Sequence, residues 1–496
     1  MKPNLLHESQ ELNLELPVNE QPLLQDLHIE PILSAMSRQD PFVYRTMKML
    51  LLNPLTDENT ILYRQRILGD ILPDPSLIHR LYFIASDIER QSEAYRTLMK
   101  PSFSRNVPIR EKLKTATDFL PVLLVKLREL RDLGRAVLPS CSSTGLTSLF
   151  RQLEQAYTDA FMADARTHHE CLRQAVGEGQ LIIGGKIGNG LKGTGYTLRR
   201  IEAASSLSLK RLKLGNSGSF LLAHSLKEIE ESALSNLLRI VRRFIDKTLV
   251  FTDLLRFESS FYLGCTQLHD ELTKRGCEAA FPLPIASEDR SLSFTGLYDP
   301  GMAIRIGRQP FTNDLQADGM RVLMITGANQ GGKTTFLRSV GLAQLMMQCG
   351  MFVPAASFRA QPCDHIFTHF TREEDDTMRS GKLDEELARL DRIVDQLTSR
   401  SLLLMNEPFA STTEREGAAI AMDLLAVGHD LSLRIYIVTH FYELASWAQG
   451  QLKHAVFLSP VRSQIGLHSY KLIKQEPTPT SYGDALYREI IGGYFD

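Results

Sequence analysis

Long apolar runs and clustered cysteines are both missing from this chain. No apolar run nears the roughly 18 residues needed to cross a bilayer, and the N-terminus lacks the apolar core of a signal peptide. The cysteines lie far apart and none forms a C-x-x-C pair, which argues against a zinc site or a disulfide framework. We therefore expect no membrane association and a reducing, cytoplasmic location.

A strong charge of one sign is also missing. The formal net charge is −2, which argues against a uniformly basic nucleic-acid binder but leaves room for a local basic patch. The composition is ordinary for a globular protein. At 496 residues the chain exceeds the size at which single cores stop growing, so we expect several domains.

The N-terminal third is predicted to be helical after an acidic, polar arm over residues 1–30, which is either flexible or a docking segment. Apolar residues recur at three- and four-residue spacing, and prolines fall near the segment boundaries. The predicted helices span 42–52, 58–72, 75–98, 108–138 and 147–176. Thr56 or Asp57 is the expected cap of the second, and Pro121 predicts a kink or a restart in the fourth.

Residues 177–224 are rich in glycine and in basic side chains. Gly188-Asn-Gly-Leu-Lys-Gly193 matches G-x-G-x-x-G, but no long helix follows and the expected acidic residue is absent, so we reject a dinucleotide site. A small β or loop subdomain is predicted instead. Its basic side chains either form a solvated face or contact phosphate. They are Lys186, Lys192, Arg199, Arg200, Lys210, Arg211 and Lys213.

A single long helix is predicted from Ser225 to about Tyr262, because this stretch has no proline or glycine and keeps helical apolar spacing. Such a helix serves as a lever, spacer or coiled arm, or else as a plain core helix of a bundle. Residues 282–290 read as a linker. From 291 to 474 short apolar strands alternate with helices, which predicts a largely parallel sheet with helices on both faces.

The first candidate functional motif is Gly327-Ala-Asn-Gln-Gly-Gly-Lys-Thr334, which fits the phosphate-binding pattern G-x-x-x-x-G-K-[ST]. A predicted strand (322–325) precedes it and a predicted helix (335–347) follows it, which argues against a chance glycine turn. Glycines let backbone N–H groups approach phosphates, and the helix N-terminus adds partial positive charge. Lys333 would reach the outer phosphates and the Thr334 hydroxyl would bind magnesium.

Two further predicted strands end in polar residues that suit the same chemistry. The strand at 402–405 ends in Asn406-Glu407, where phosphate-loop ATPases carry a carboxylate pair. Glu407 fits the residue that orients the attacking water, whereas Asn406 replaces a carboxylate near magnesium with an amide. The strand at 435–438 ends at Thr439-His440, a position where parallel sheets bind ligands. His440 is therefore a candidate contact for the γ-phosphate or the water.

These motifs closely resemble the ATPase domain of the MutS family over residues 295–485. The resemblance rests on Thr326 to Thr335, Leu345 to Pro354, Asp364-His-Ile-Phe-Thr368, Thr439 to Leu444 and Ser481-Tyr-Gly483. The spacing from Asn406-Glu407 through Ser411-Thr-Thr413 to Gly417 is similar to that family's Walker B segment and D-loop. Weaker similarity covers 41–66, which looks like the start of the family's helical core, and the long helix resembles its lever.

The resemblance implies residue roles. Glu407 activates water, His440 is the switch histidine, and Lys333 serves both catalysis and nucleotide binding. Phe311 and Asn313 look like the adenine-stacking segment. The phosphate cradle is Gly327, Ala328, Asn329, Gln330, Gly331, Gly332, Lys333, Thr334 and Thr335, and the implied magnesium residues are Thr334 and Asn406. Contacts across a dimer fall on Ser380, Gly381 and Lys382, with Leu383 where the family has a serine; a purely structural role for this helix is the alternative.

The implied fold is a multidomain one: a mostly α-helical core and lever with a small β-containing clamp-like insertion, then an α/β P-loop (ABC-type) ATPase domain. The predicted divisions are 1–30 (arm), 31–290 (core, lever and clamp) and 291–496 (ATPase). The expected cofactors are ATP and Mg²⁺. The chain begins near the helical core, so we expect neither the family's mismatch-reading domain nor its connector domain.

Two functional hypotheses follow from these predictions. One is a homodimeric ATPase clamp on DNA, branched or distorted rather than mismatched, acting in repair or recombination and located at the nucleoid when bound. The other is an ATP-gated protein-interaction switch with little hydrolysis and no DNA role.

Overall fold

The fold is described from a computed structural model of the full chain. The structure describes residues 1–8, 15–104, 107–177, 180–187, 193–202, 219–285, 290–327, 331–371, 381–461 and 470–477. The Gly188–Gly193 motif, apart from its last glycine, and Ser481-Tyr-Gly483 lie outside these ranges.

The helices are α1 (Glu20–Asp26), α2 (Glu30–Ser37), α3 (Pro41–Leu51), α4 (Glu58–Ile71), α5 (Ser76–Gln91), α6 (Glu93–Met99), α7 (Pro101–Ser104), α8 (Ile109–Val137), α9 (Thr144–Ala156), α10 (Asp159–Val176), α11 (Ser219–Thr273), α12 (Pro300–Ile306), α13 (Lys333–Cys349), α14 (Lys382–Val394), α15 (Glu414–Asp430) and α16 (Tyr442–Gln451). The strands are β1 (Gln180–Ile187), β2 (Gly193–Glu202), β3 (Leu283–Pro284), β4 (Leu292–Leu297), β5 (Asn313–Ala317), β6 (Val322–Ile325), β7 (Ser357–Ala360), β8 (Ile366–Phe370), β9 (Leu402–Asn406), β10 (Arg434–Val438), β11 (Ala455–Pro460) and β12 (Leu472–Lys474). Within the described part of the chain, no helix is long and apolar enough to span a bilayer.

The chain forms two compact units. The first comprises Met1–Leu5 and Pro73–Ser259, and the second comprises Leu6–Leu72 and Ser260–Asp496. The division falls inside the long helix α11. The two units divide the chain at positions other than residues 30 and 290. They do not test the predicted domain limits, which therefore stay predictions.

The first unit is helical, as the apolar periodicity predicts. Helices α5, α8 and α10 pack together around buried leucines such as Leu123 and Leu127. Helix α8 runs through Pro121 as one element, so the predicted restart does not occur. Strands β1 and β2 pair antiparallel where a small β subdomain was expected.

The second unit contains two sheets, whereas the alternating pattern predicted a single, largely parallel one. The larger sheet has the order β12-β11-β6-β10-β9-β8, in which only β12 runs antiparallel. Its central strands are buried along their whole length, as expected for a parallel sheet covered on both faces. The smaller sheet has the order β3-β7-β4-β5, in which β3 and β7 pair parallel and the other two pairs are antiparallel. Alternating burial along β5 and β7 explains why these strands do not show the continuous apolar signal of β6.

Residues 15–30 pack against other segments of the second unit. The Asn19 side-chain amide donates to the Ile366 carbonyl at 2.7 Å, and Arg338 Nε donates to the Asp26 carbonyl at 2.8 Å. Asp57, one of the two predicted caps, is the N-cap of helix α4, and its carboxylate accepts from the Thr60 N–H at 2.9 Å. The docking interpretation of the arm is therefore the better one for residues 15–30.

Arg64 on α4 ties distant parts of the second unit together. Its side chain is 1% exposed and donates to the carbonyls of Leu6 and Cys349, each at 3.0 Å. Its third nitrogen lies 3.0 Å from His7 Nε2, and its guanidinium carbon lies 5.5 Å from the centre of the Phe261 ring. One buried cation thus satisfies carbonyl groups from two separate chain segments.

We predict that Arg64→Met lowers the free energy of unfolding by about 2–4 kcal/mol, because the buried carbonyls of Leu6 and Cys349 lose their donors. Denaturant unfolding followed by circular dichroism measures the change. Arg66→Met is the matched control, since Arg66 lies on the exposed face of the same helix and should change stability little. Equal destabilisation by the two variants would contradict this account of Arg64.

Candidate functional site

The candidate site forms where three neighbouring parallel strands end. Strand β10 lies between β6 and β9, and its last residue, Val438, pairs with both Ile325 and Asn406. The phosphate-binding motif follows β6, Glu407 follows β9, and Thr439 follows β10. The shared register therefore brings three separate predicted motifs to one edge of the sheet, where α/β proteins bind ligands.

The phosphate-binding loop turns directly into α13. Gly332 caps this helix with φ +79°, a conformation that favours glycine, and a Cβ atom there would lie 3.5 Å from the Tyr470 side chain. Gly331 and Thr335 line the cavity in front of the helix. Ala328, Asn329 and Gln330 lie outside the described residues, so their predicted contacts with phosphate stay predictions.

Lys333 is a buried cation at the start of α13. It is only 4% exposed, and its ammonium group donates to the Gly327 carbonyl. Burial lowers the pKa of Lys333, and the nearby Glu407 carboxylate acts in the opposite direction. An anionic ligand in this position would offset the cost of burying the charge.

The Thr334 hydroxyl donates to Asn406 Oδ1 at 2.9 Å. This contact places two neutral oxygens side by side at the end of β9, and magnesium prefers oxygen ligands. No cluster of three acidic, histidine or cysteine side chains among the described residues could hold a metal ion by itself. The pair therefore fits a magnesium ion that takes most of its ligands from phosphate and water.

Glu407 has a strained backbone. Its φ is +50°, which is uncommon for a residue with a Cβ atom, and its N–H donates to the Val438 carbonyl at 2.8 Å. The Thr371 hydroxyl donates to the carbonyls of Asn406 (3.1 Å) and Glu407. Strain that the surroundings maintain in this way is typical of functional positions.

His440 lies next to this edge but outside the cavity. Thr439 is buried, and its N–H donates to the Ile325 carbonyl at 3.0 Å, so the β10 terminus is firmly held. The exposed His440 ring lies 4.7 Å from the Phe441 ring, edge to face. The predicted role of His440 toward phosphate or water stays a prediction.

A cavity of about 510 Å³ opens beside the loop. It is lined by Phe311 and Asn313, the two residues predicted to bind adenine, together with Lys333 and Glu407. Phe311 is 63% exposed and its ring centre lies 5.2 Å from that of Tyr470. Asn313 Oδ1 accepts from the Leu472 N–H at 2.7 Å, which fixes the side chain. Exposed aromatic surface beside a phosphate loop suits stacking with a flat base.

Tyr470 is a cavity residue that the sequence did not reveal. It lies more than 130 positions beyond the loop and belongs to no motif. The pairing of β12 with β11 and the hydrogen bond from Leu472 to Asn313 bring its segment near Phe311.

The predicted dimer contacts are only partly described. Gly381 is the N-cap of α14 and Lys382 is its first residue, whereas Ser380 lies outside the described ranges. Leu383 packs against the apolar core around Phe409 and Leu390. The structural role of this helix is thereby supported, and the contacts of Ser380, Gly381 and Lys382 with a second copy stay predictions.

A buried carboxylate that we did not predict holds the segment after Glu407. Glu386 Oε1 accepts from the Phe409 N–H at 2.8 Å and lies 3.2 Å from His369 Nε2. Its second oxygen accepts from the Ser411 hydroxyl at 3.2 Å. Phe409 has φ +61°, so Glu386 stabilises a turn that the backbone alone disfavours.

Comparison with known proteins agrees with this architecture, an α/β protein with a phosphate-binding-loop motif. Residues 56–275 match the MutS2 N-terminal domain, and residues 323–488 match MutS domain V. The chain belongs to the MutS family.

Several curated relatives are DNA mismatch repair proteins MutS. The protein from Thermus thermophilus is 30% identical over 190 residues, which is 37% of this chain and 23% of the relative. That from Chloroflexus aurantiacus is 37% identical over 142 residues, 27% of this chain and 15% of the relative. That from Acetivibrio thermocellus is 31% identical over 169 residues, 33% of this chain and 19% of the relative. The match thus spans less than a quarter of these relatives' length.

We predict that Glu386→Ala lowers the free energy of unfolding by about 2–4 kcal/mol, because the buried Phe409 N–H and Ser411 hydroxyl lose their acceptor. Thermal unfolding measures the effect. Asp391→Ala is the control, since Asp391 is exposed on the same helix. If Glu386→Ala proves as stable as Asp391→Ala, the segment after Glu407 does not depend on this carboxylate.

Proposed function

We propose that this protein binds and hydrolyses ATP at the cavity beside the phosphate-binding motif. The observation that carries the proposal is the convergence of Lys333, Thr334, Asn406 and Glu407 at the carboxyl ends of β6 and β9. Buried Lys333 supplies a positive charge, and Phe311 supplies a face for the base. The family relationship supports the same chemistry.

Each residue has a distinct task in this proposal. Lys333 binds the outer phosphates, and its burial strengthens that attraction because less water screens the charge. Thr334 and Asn406 would hold Mg²⁺, which neutralises charge on the phosphates. Glu407 orients the attacking water, and the strained backbone at this residue holds its carboxylate at the strand end. His440 would contact the γ-phosphate or that water.

We further propose that the protein acts on DNA as a homodimeric clamp in repair or recombination. The printed names of the relatives, DNA mismatch repair protein MutS, support a DNA substrate. Binding would use phosphate contacts and depend on DNA structure rather than sequence, with branched or distorted forms as candidates. Helix α11 is the lever in this proposal, and the protein acts in the cytoplasm at the nucleoid.

A second candidate is an ATP-gated protein-interaction switch with little hydrolysis. Two observations favour it. The Asn406 amide accepts a hydrogen bond from the Thr334 hydroxyl where a carboxylate is usual, and Leu383 packs against the core where the family has a dimer-contacting serine. Both changes would weaken turnover without preventing ATP binding.

We predict that Glu407→Gln lowers steady-state ATP hydrolysis at least about hundredfold while ATP binding is kept, because an amide cannot accept the proton of the attacking water. Hydrolysis is measured without DNA and with single-stranded, duplex and branched DNA. Equilibrium binding of a fluorescent ATP analogue is measured in parallel.

Glu414→Gln provides the control for this test, since Glu414 is an exposed acid on α15. Stimulation by one DNA form that Glu407→Gln abolishes would support the DNA-clamp proposal and identify its substrate. ATP binding with no turnover in any condition would refute the ATPase proposal and leave the switch. Steep weakening of DNA binding by salt would separate the two candidates independently.

We predict that Asn406→Asp lowers the Mg²⁺ concentration needed for half-maximal ATP binding by about threefold to tenfold, because a carboxylate interacts more strongly with a magnesium-bound water than an amide does. Magnesium titrations at fixed ATP measure the shift. Asn236→Asp, at an exposed amide of α11, controls for the added charge. An unchanged midpoint would show that Asn406 does not face the ion.

A further inference from the structure

A second cavity lies apart from the candidate nucleotide site. It has a volume of about 1180 Å³, and its walls carry Arg290, Arg321, Arg359, Arg400, Arg434 and His454. Three carboxylates, those of Asp57, Glu58 and Asp318, also line it. The arginines outnumber the acids, so the cavity is cationic.

The cavity lies at the amino-terminal ends of the strands that form the candidate nucleotide site at their other ends. Arg321 directly precedes β6, Arg434 is the first residue of β10, and Arg400 lies two positions before β9. Since these strands are parallel neighbours, their amino ends meet at one edge of the sheet. Arg359 on β7 and Arg290 before β4 come from the smaller sheet.

Within the described part of the chain, four of the five arginines lack an acidic partner. Arg400 pairs with Asp364 at 3.5 Å, and Arg434 donates to the Gln361 carbonyl at 2.9 Å. Arg321 donates to the His429 carbonyl at 3.5 Å, and neither Arg290 nor Arg359 has an ion-pair partner among the described residues.

The surroundings of Arg290 show that this arrangement of arginines is energetically unfavourable. Its Nη1 atom is buried and has no hydrogen-bond partner among the described residues. Burial, followed by the charges of Arg321 and Arg434, lowers the pKa of Arg290. A buried donor without an acceptor and a cluster of like charges both destabilise the folded protein, so a missing anion is the simplest account.

We propose that this cavity is a second ligand site, which binds a small polyphosphate anion through Arg290, Arg321 and Arg359. Guanidinium groups bind phosphate oxygens in pairs of parallel hydrogen bonds, so three of them suit two or more linked phosphates. The concave shape favours a small molecule over duplex DNA. The proposal does not depend on ATP hydrolysis at the first site.

The test is isothermal titration of the full chain with inorganic pyrophosphate. Lys333→Met removes the cation of the first site, so that the remaining binding reports the second. We expect this protein to bind pyrophosphate, and we expect Arg359→Gln and Arg290→Gln each to weaken binding roughly tenfold or more. Magnesium-free ATP and tripolyphosphate serve as competitors that distinguish a nucleotide from an inorganic source.

Arg45→Gln is the matched control, because Arg45 is an exposed arginine of the same unit outside the cavity. Arg359 is exposed, so Arg359→Gln should fold even if the more buried Arg290→Gln does not. Weakening by Arg359→Gln but not by Arg45→Gln supports the site, whichever competitor displaces pyrophosphate. The proposal is overturned by three results: no binding at millimolar pyrophosphate, equal affinity in Arg359→Gln, or arginine-dependent binding of duplex DNA alone.

Discussion

The parallel pairing of β6, β10 and β9 is the constraint from which the chemistry of the second unit follows. Val438 is paired on one side with Ile325 and on the other with Asn406, and the ladder continues through the Glu407 N–H to the Val438 carbonyl and the Thr439 N–H to the Ile325 carbonyl. A slip of one residue would turn every buried side chain of β10 to the other face. The same register that assembles the candidate nucleotide site therefore also gathers the arginines at the opposite edge.

Several groups at these edges are unfavourable in isolation and are kept in place by their neighbours. Lys333 is buried, Glu407 and Phe409 have left-handed backbone conformations, and Arg290 has a buried donor without a partner among the described residues. Around the carboxyl edge, Thr371 and Glu386 supply hydrogen bonds that hold the strained turn. At the cationic edge, Arg400 and Arg434 have partners, whereas the buried Arg290 Nη1 has none within the described part of the chain.

Much of the fold was accessible from local patterns. Helices α3, α4 and α8 lie within a residue or so of their predicted ends, since apolar spacing, proline and the Asp57 cap act over a few residues. The elements around the phosphate-binding motif were predicted for the same reason. The second, mostly antiparallel sheet was missed because half-buried strands such as β5 and β7 carry no continuous apolar signal. The role of the chain's first residues was left open, because docking depends on a distant partner surface.

Local sequence is enough to define the chemical groups of the site: a glycine loop with Lys333 and Thr334, an amide in place of a carboxylate at Asn406, and Glu407 after a buried strand. These are short-range features, and their meaning comes from spacing within a few residues. Which distant residues join these groups depends on how the strands and helices pack. Tyr470 enters the cavity, Glu386 holds the following turn, and arginines spaced some 30 to 40 positions apart line one cavity. Strand order and register bring these residues together, and no local sequence pattern reveals either of them.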